Sequence, residues 1–304
     1  MDEAGKERER QEGILTFARS AELRRSPVEG KFDSAHLREI HRSLFQDLSH
    51  HSPGDYRPDA PAHIKGRSLE GLSYRYHVPY ALRPEVDTGV DKVLSELNGP
   101  EGLRGLDRAQ FSARMAKLYG DLDYMHPFAE GNSRTLRIFT MQLAGEAGHG
   151  LDWHATNADS ASRDRLYIAR DKEVIQRAFP GLDQSRAMST ENRQEYEAYV
   201  RVIARFRDEP TLQQVIEDVS AAKAFRERSS IEATKQFPDL AGSYAKLAAI
   251  DRKAEADGLS EQQRSVVVGK TREILALNIE RGVRPEQSIM EQHVPERDRR
   301  EPDR

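Results

Sequence analysis

The sequence predicts an all-α fold: a helical bundle interrupted by one small β-hairpin and followed by a smaller helical module. Three observations carry that expectation. Apolar residues recur at three- and four-residue spacing through most of the chain, the period of one buried helix face. One short stretch, with Leu72, Tyr74 and Tyr76 on one side and Ser73, Arg75 and His77 on the other, alternates with the period of two that marks a strand or hairpin arm. The chain's 304 residues, 37% hydrophobic and 32% charged, suffice for one sizeable core and a second module.

The elements follow in order. Residues 1–14 are charged almost throughout and are expected to be disordered. Asp33 or Ser34 caps a helix whose buried face is Leu37, Ile40, Leu44 and Leu48. Residues 50–63, HHSPGDYRPDAPAH, hold three prolines and a glycine and form a loop in which His50 and His51 are expected to be solvated. Helical rhythm resumes from Arg83 to Leu97, and again from Leu106 to about Tyr124 with Phe111, Met115, Leu118 and Leu122 in phase. A further helix carries Leu136, Phe139, Leu143 and Ala147 before Gly148 and Gly150 end it. The polar run DQSRAMSTEN marks a seam, so a main domain is expected over 15–183 and a helical module over 184–282. That module reads as four helices: Gln194 to Asp208, Thr211 to about Arg228, Pro238 to about Ala256, and Ser260 to Arg281 with Gly282 as stop. Phe225, Tyr244 and Leu247 belong to its core. Residues 283–304 read as a disordered tail.

Charge and composition narrow the function. A net charge of −4, from 47 basic and 51 acidic residues well mixed along the chain, supplies no basic field for a phosphate backbone, so no direct nucleic-acid partner is expected. The absence of cysteine removes disulfides, thiolate nucleophiles and Cys-based zinc sites. No signal peptide and no run of about 18 apolar residues is found, so the expectation is a cytoplasmic protein without a membrane partner.

The chemistry concentrates in HPFAEGNSRTLR, residues His126 to Arg137, between two amphipathic helices. Gly131, Asn132 and Ser133 stand where a helix begins, so their N–H groups lack intrahelical acceptors and sit at the positive end of the dipole. Such a turn binds anions. Glycine at 131 permits a backbone conformation closed to other residues, and Asn132 supplies a cap and a further donor. Arg134 and Arg137, three apart, place two guanidinium forks on one side of the first turns, a pairing suited to a polyphosphate. Glu130, an acid beside that nest, is a natural Mg²⁺ ligand. His126 is the side chain best suited to take a proton near neutral pH. Elsewhere, His149, Asp152 and His154 form an H-x-x-D-x-H run that fits no zinc spacing and reads as a polar loop.

The twelve residues resemble the signature of the Fic (Fic/Doc, or Fido) family, H-x-F-x-[DE]-G-N-[GK]-R-x-x-R, with Ser133 where Gly or Lys is usual. The resemblance extends over roughly 15–180. It includes FDSAHLREIHRSLFQD, the G-D-Y-R segment at Gly54 to Arg57, a hairpin where the family has its flap, and RIFTMQLAGEAGHGLDW after the motif. It implies transfer of AMP from ATP to a Ser, Thr or Tyr hydroxyl of a target protein with release of pyrophosphate. His126 would be the base, Glu130 the Mg²⁺ ligand, Gly131, Asn132 and Ser133 the anion hole, and Arg134 and Arg137 the partners of the outer phosphates. Phe128 would be the wedge that fixes the loop. Lys65, Gly66, Leu72, Ser73, Tyr74 and Arg75 would form the flap that docks an extended target segment.

Many relatives carry an inhibitory helix, [ST]-x-x-x-[ED]-[GN]. No Glu-Gly, Glu-Asn or Asp-Gly pair of this sequence has Ser or Thr four residues earlier; Glu191-Asn192 follows Ala187. The resemblance therefore implies a toxin held by a separate small antitoxin protein, with type II topoisomerase subunits as the precedent for its targets. The C-terminal helices resemble segments of type IV secretion substrates. The alternative is thus a catalytically weak nucleotide-binding protein that docks partners or enters a type IV secretion channel.

Overall fold

The computed structural model describes residues 3–153, 156 and 158–285. It is mostly helical with one two-stranded sheet, as the periodicity predicts. The helices are α1 (Glu3–Arg25), α2 (Ser34–Phe45), α3 (Arg83–Leu97), α4 (Arg108–Met125), α5 (Asn132–Glu146), α6 (Ser160–Ala178), α7 (Gln184–Ser189), α8 (Arg193–Ala198), α9 (Leu212–Glu227), α10 (Ser230–Gln236), α11 (Ala241–Ala256) and α12 (Glu261–Glu280). A π-helical turn, Tyr199–Ala204, follows α8. No described helix is long and apolar enough to cross a membrane.

Local chemistry sets the ends. The Asp33 side chain accepts from the His36 N–H to start α2, and Asp107 and Gln110 form a reciprocal capping box at α4. Every apolar position assigned to α2, α4 and α5 from the rhythm, from Leu37 to Ala147, is buried.

The hairpin is real, but its arms are β1 (Ile64–Arg67) and β2 (Tyr76–Pro79), antiparallel from Ile64↔Pro79 to Arg67↔Tyr76. Leu72 to Arg75, expected to begin the alternating strand, lie instead in the connecting turn, which Gly71 enters at φ +80°. Tyr76, Val78 and Tyr80 face inward and His77 outward, so the period of two belongs to 76–80. The inward face packs with Ile168, Val174 and Ile175 of α6 and with Ala198 and Val202.

Two expectations are corrected and one helix is added. Residues 3–14 are helical, within α1; glutamate, glutamine and arginine are good helix formers, and an Arg10–Glu7 ion pair at 2.7 Å supports the turn. The helix over 160–178 has no counterpart in the sequence reading. The division into compact units falls between Glu217 and Asp218, not at 183/184. The polar seam is a capped helix, with Asp183 accepting from the Arg186 N–H and Arg186 paired to Glu195 at 2.7 Å. Ala198, Val202 and Phe206 beyond it complete the hairpin core.

In the second unit, Phe225, Ala233, Phe237, Leu240, Leu247, Ala276 and Ile279 form a core with Tyr244 against it. Ser260 caps α12 through a capping box with Gln263, as its sequence suggests. Helix α10 was not expected, although Ser229 and Glu232 form the same device there. Residues 286–304, most of the expected tail, and His154 lie outside the described residues.

Candidate active site

Helix α4 ends at His126, whose backbone is left-handed (φ 45°), an uncommon conformation for a residue with a Cβ. Buried Arg57 holds it there. Its Nε donates to the His126 carbonyl at 2.9 Å, its Nη2 donates to the Ala81 carbonyl, and its own N–H donates to the Pro127 carbonyl at 2.8 Å. The G-D-Y-R segment thus fixes the backbone of the motif histidine.

The His126 ring is buried, 4.0 Å from the Tyr80 ring and 5.1 Å from that of His63, and neither of its nitrogens has a hydrogen-bond partner in the structure. Burial first, and then the positive groups Lys65, His63, Arg170 and Arg67, hold its pKa well below 6.5. The imidazole is therefore neutral at neutral pH and able to accept a proton. Asp123 lies 3.9 Å from Nδ1, too far for a hydrogen bond, and its carboxylate is taken by Arg170. Ser133, His126 and Asp123 are accordingly not a nucleophilic triad.

The loop beyond is braced from within. Asn132 Oδ1 accepts from the Phe128 N–H at 2.9 Å while its Nδ2 donates to the Phe128 carbonyl at 2.6 Å. The Asn132 side chain thus braces the loop with one amide N–H to spare, and the N-cap position expected of it is taken by Gly131. Phe128 is buried as a wedge and stacks on His41 at 3.9 Å. His41 accepts from the Gly54 N–H through Nδ1, so the ring proton is assigned to Nε2, which donates to the Glu130 carbonyl at 3.1 Å. Burial pushes the His41 pKa down to about 4. Within α2 the residue reads as part of an apolar face, so only its role in space reveals it.

Gly131 adopts φ +80° at the start of α5, and a Cβ there would lie 2.2 Å from the Phe45 ring, so both conformation and space require glycine. Ser133 is helical, with no positive φ. Its departure from the usual Gly or Lys therefore costs no backbone strain, and its hydroxyl accepts from Arg170 Nη1 at 2.9 Å.

Arg134 lies over the Phe45 ring at 4.8 Å and donates to Thr16 Oγ1 of α1 at 2.8 Å. Arg137 bonds the Ser133 carbonyl at 3.2 Å and Thr156 Oγ1 at 3.3 Å. Burial lowers the pKa of both guanidinium groups, and Arg134 and Arg170 add their repulsion at Arg137. A bound polyanion would relieve that desolvated positive charge. The Glu130 carboxylate is half exposed, 3.6 Å from Lys65 Nζ and 4.0 Å from Arg134.

Of the expected flap residues, Lys65 on β1 reaches the motif loop, with Nζ 3.5 Å from the Ala129 carbonyl. Gly66 gives up the space of a Cβ to the Arg75 guanidinium, 2.0 Å from where that atom would be. Leu72, Ser73 and Tyr74 sit in the connecting turn, Tyr74 donating to the Arg201 carbonyl at 3.4 Å. The residues of the H-x-x-D-x-H run that can be placed do not converge: His149 bonds the Leu103 carbonyl and stacks on Phe111, and Asp152 pairs with Arg24 at 3.3 Å.

The main positioning residues unforeseen from the sequence lie on α6. Arg170 is fully buried and grips Asp123 with two bonds of 3.0 and 2.7 Å. The next residue, Asp171, takes Arg67 of β1 at 3.0 Å and the Tyr76 hydroxyl of β2 at 2.8 Å. Two adjacent residues of opposite charge thus pin the motif loop and the hairpin to one helix.

With this geometry in view, comparison with known proteins places the chain. The Fic/DOC family model matches residues 31–144. The chain is 29% identical over 257 residues to the protein adenylyltransferase VbhT of Bartonella schoenbuchensis, covering 84% of this chain and 48% of that protein. It is 30% identical over 125 residues to the probable protein adenylyltransferase Fic of Escherichia coli, covering 41% and 56%. Among solved structures, the N-terminal Fic domain of a VirB-translocated Bep effector with bound ADP, from Bartonella quintana, aligns at a TM-score of 0.47 with 24% identity over 70% of this chain and 85% of that one. The chain spans about half the length of the curated relatives just named. The matched span contains His126 to Arg137 with its braces Arg57, His41 and Phe45, while Arg170 lies beyond it, and the chain carries a Fic/DOC family domain over residues 31–144.

Proposed function

We propose that this chain transfers AMP from ATP to a hydroxyl of a target protein. The observation that carries the reading is one loop in which a neutral, buried His126 is followed within a few residues by a helix start with left-handed Gly131 and two desolvated arginines. The first N–H groups of α5 and the forks of Arg134 and Arg137 would hold the phosphates, and His126 would take the proton of the target hydroxyl. That oxygen bonds to the α-phosphorus, the bond from the α-phosphorus to the bridging oxygen breaks, and pyrophosphate leaves. The two named adenylyltransferase relatives support the reaction class.

Glu130 fits a hard cation: its carboxylate is half exposed, and its Lys65 and Arg134 neighbours stand beyond hydrogen-bond distance. Mg²⁺ bound there would neutralise charge on the phosphates. The target segment would lie against β1, the more exposed arm of the hairpin, near Lys65 and beside a cavity of about 280 Å³ flanked by Arg193, Glu197 and Arg201.

Arg137, one turn beyond the nest, should meet the outer end of the triphosphate. A charge-assisted contact there is worth about 1.5–3 kcal/mol, so Arg137→Ala should weaken ATP by roughly 10- to 150-fold and AMP far less. Calorimetry with both ligands reads the difference. Equal losses would place Arg137 outside the γ-phosphate site.

The sequence lacks the inhibitory signature, which supports a bacterial toxin restrained by a separate antitoxin; type II topoisomerase subunits, the precedent the resemblance implies, are the proposed targets. Expressed without a partner, the chain should slow bacterial growth and the His126→Ala variant should not. A chain that becomes active only after one of its own segments is deleted would point to inhibition in cis.

A further inference from the structure

We propose that Glu12, His50 and His51 form a binding site for a divalent transition metal, Zn²⁺ by its donor chemistry, that ties helix α1 to the turn after α2. This site is separate from the phosphate loop and needs no part of the adenylyl-transfer reading. Among the described residues these three are the group of metal-ligating side chains whose donor atoms converge, all within 4.8 Å of one another. His50 Nε2 stands 2.9 Å from Glu12 Oε1, and His51 Nε2 stands 3.1 Å from Glu12 Oε2.

Adjacent residues of an extended chain point to opposite sides. Here a 3₁₀ turn at Ser49–His51, closed by Ser52 in the left-handed region, swings both imidazoles the same way, with ring centres 4.2 Å apart. The loop is therefore folded to present two imidazole nitrogens to one carboxylate. Without metal, each Nε2 must carry a proton to donate to Glu12. With the proton of each ring moved to Nδ1, the two Nε2 lone pairs would be free to meet a cation at the point of convergence, together with one carboxylate oxygen, at near-ligand spacing.

Two imidazoles and one carboxylate leave a fourth position for water, a donor set that suits Zn²⁺ and its neighbours Ni²⁺ and Cu²⁺ and disfavours Mg²⁺ and Ca²⁺. The surroundings hold the ligands in place. His51 is largely buried and meets the Phe45 ring edge-on at 5.4 Å, and Arg19 of α1 pairs with Asp47 at 2.7 Å beside the site. One helical turn beyond Glu12, Thr16 accepts from Arg134. A metal at Glu12 would thus fasten the helix that reaches the motif arginine.

The test is calorimetric titration of the full chain, demetallated and without an affinity tag, with Zn²⁺ and separately with Mg²⁺. The wild type should bind one equivalent of Zn²⁺. Glu12→Gln and His50→Ala, whose side chains are partly or mostly exposed, should each lower that affinity by about 10- to 100-fold or more. As a second readout, Zn²⁺ should slow tryptic cleavage within α1 in the wild type and not in His50→Ala. Failure of the wild type to bind Zn²⁺ in preference to Mg²⁺, or wild-type Zn²⁺ affinity in both variants, would overturn the proposal.

Discussion

His126→Ala is expected to lower AMP transfer by about 10²–10⁴-fold, the usual contribution of a positioned general base, while leaving ATP affinity close to that of the wild type. The phosphates are assigned to the α5 start and its arginines, whereas the His126 ring lies against Tyr80 and His63 and makes no hydrogen bond that holds the loop. Burial and nearby positive charge keep the ring neutral, so the sign of the pH dependence follows. The free enzyme carries its base in the active form at neutral pH, and activity falls only as pH drops through a value well below 6.5. The acidic limb of the kcat/KM profile should lie there. An acidic limb above pH 6.5, or labelling by the alanine variant at the wild-type rate, would contradict the assignment.

Arg170→Met is expected to destabilise the first unit by about 3–5 kcal/mol, because it leaves the fully buried Asp123 carboxylate without its partner. For a unit of this size that is a fall in Tm of roughly 6–20 °C. Adding Asp123→Leu to Arg170→Met should recover much of the stability, since an apolar pair in place of a buried ion pair is often neutral. The same double variant loses the bond to Ser133, so restored stability without restored activity would separate the positioning role of Arg170 from its structural one. Thermal melts and transfer assays on both variants read the two effects. A melt of Arg170→Met within a degree or two of the wild type would show that Asp123 finds another partner.

The contrast between what the sequence revealed and what it hid has physical causes. Helices α2, α4 and α5 keep an apolar residue at each three- or four-residue step of the buried face even though they bury polar side chains beside it, so their rhythm is readable, and the motif stands in the short gap between α4 and α5. Helix α6 buries Asp164, Arg170 and Asp171 among its apolar residues, which breaks the rhythm at the positions that matter most to the site. Helix α1 has no apolar stripe to read, and its side-chain ties run to Asp47, Arg134 and the paired histidines. His41 has the opposite disguise, a polar brace in an apolar face. Asn132 shows the limit of motif logic: the sequence puts an amide at the helix start, and only the folded loop shows that both of its ends are bound to Phe128.

The most direct test of the central claim is to incubate the purified chain and its His126→Ala variant with a bacterial lysate, Mg²⁺ and ATP labelled at either the α- or the γ-phosphate. The expected result is a protein band labelled from the α-position by the wild type alone, with no label from the γ-position. Label arriving from γ-ATP would mean phosphoryl transfer, and no label from either nucleotide would leave a loop that binds nucleotide without transferring any part of it; each would contradict the account.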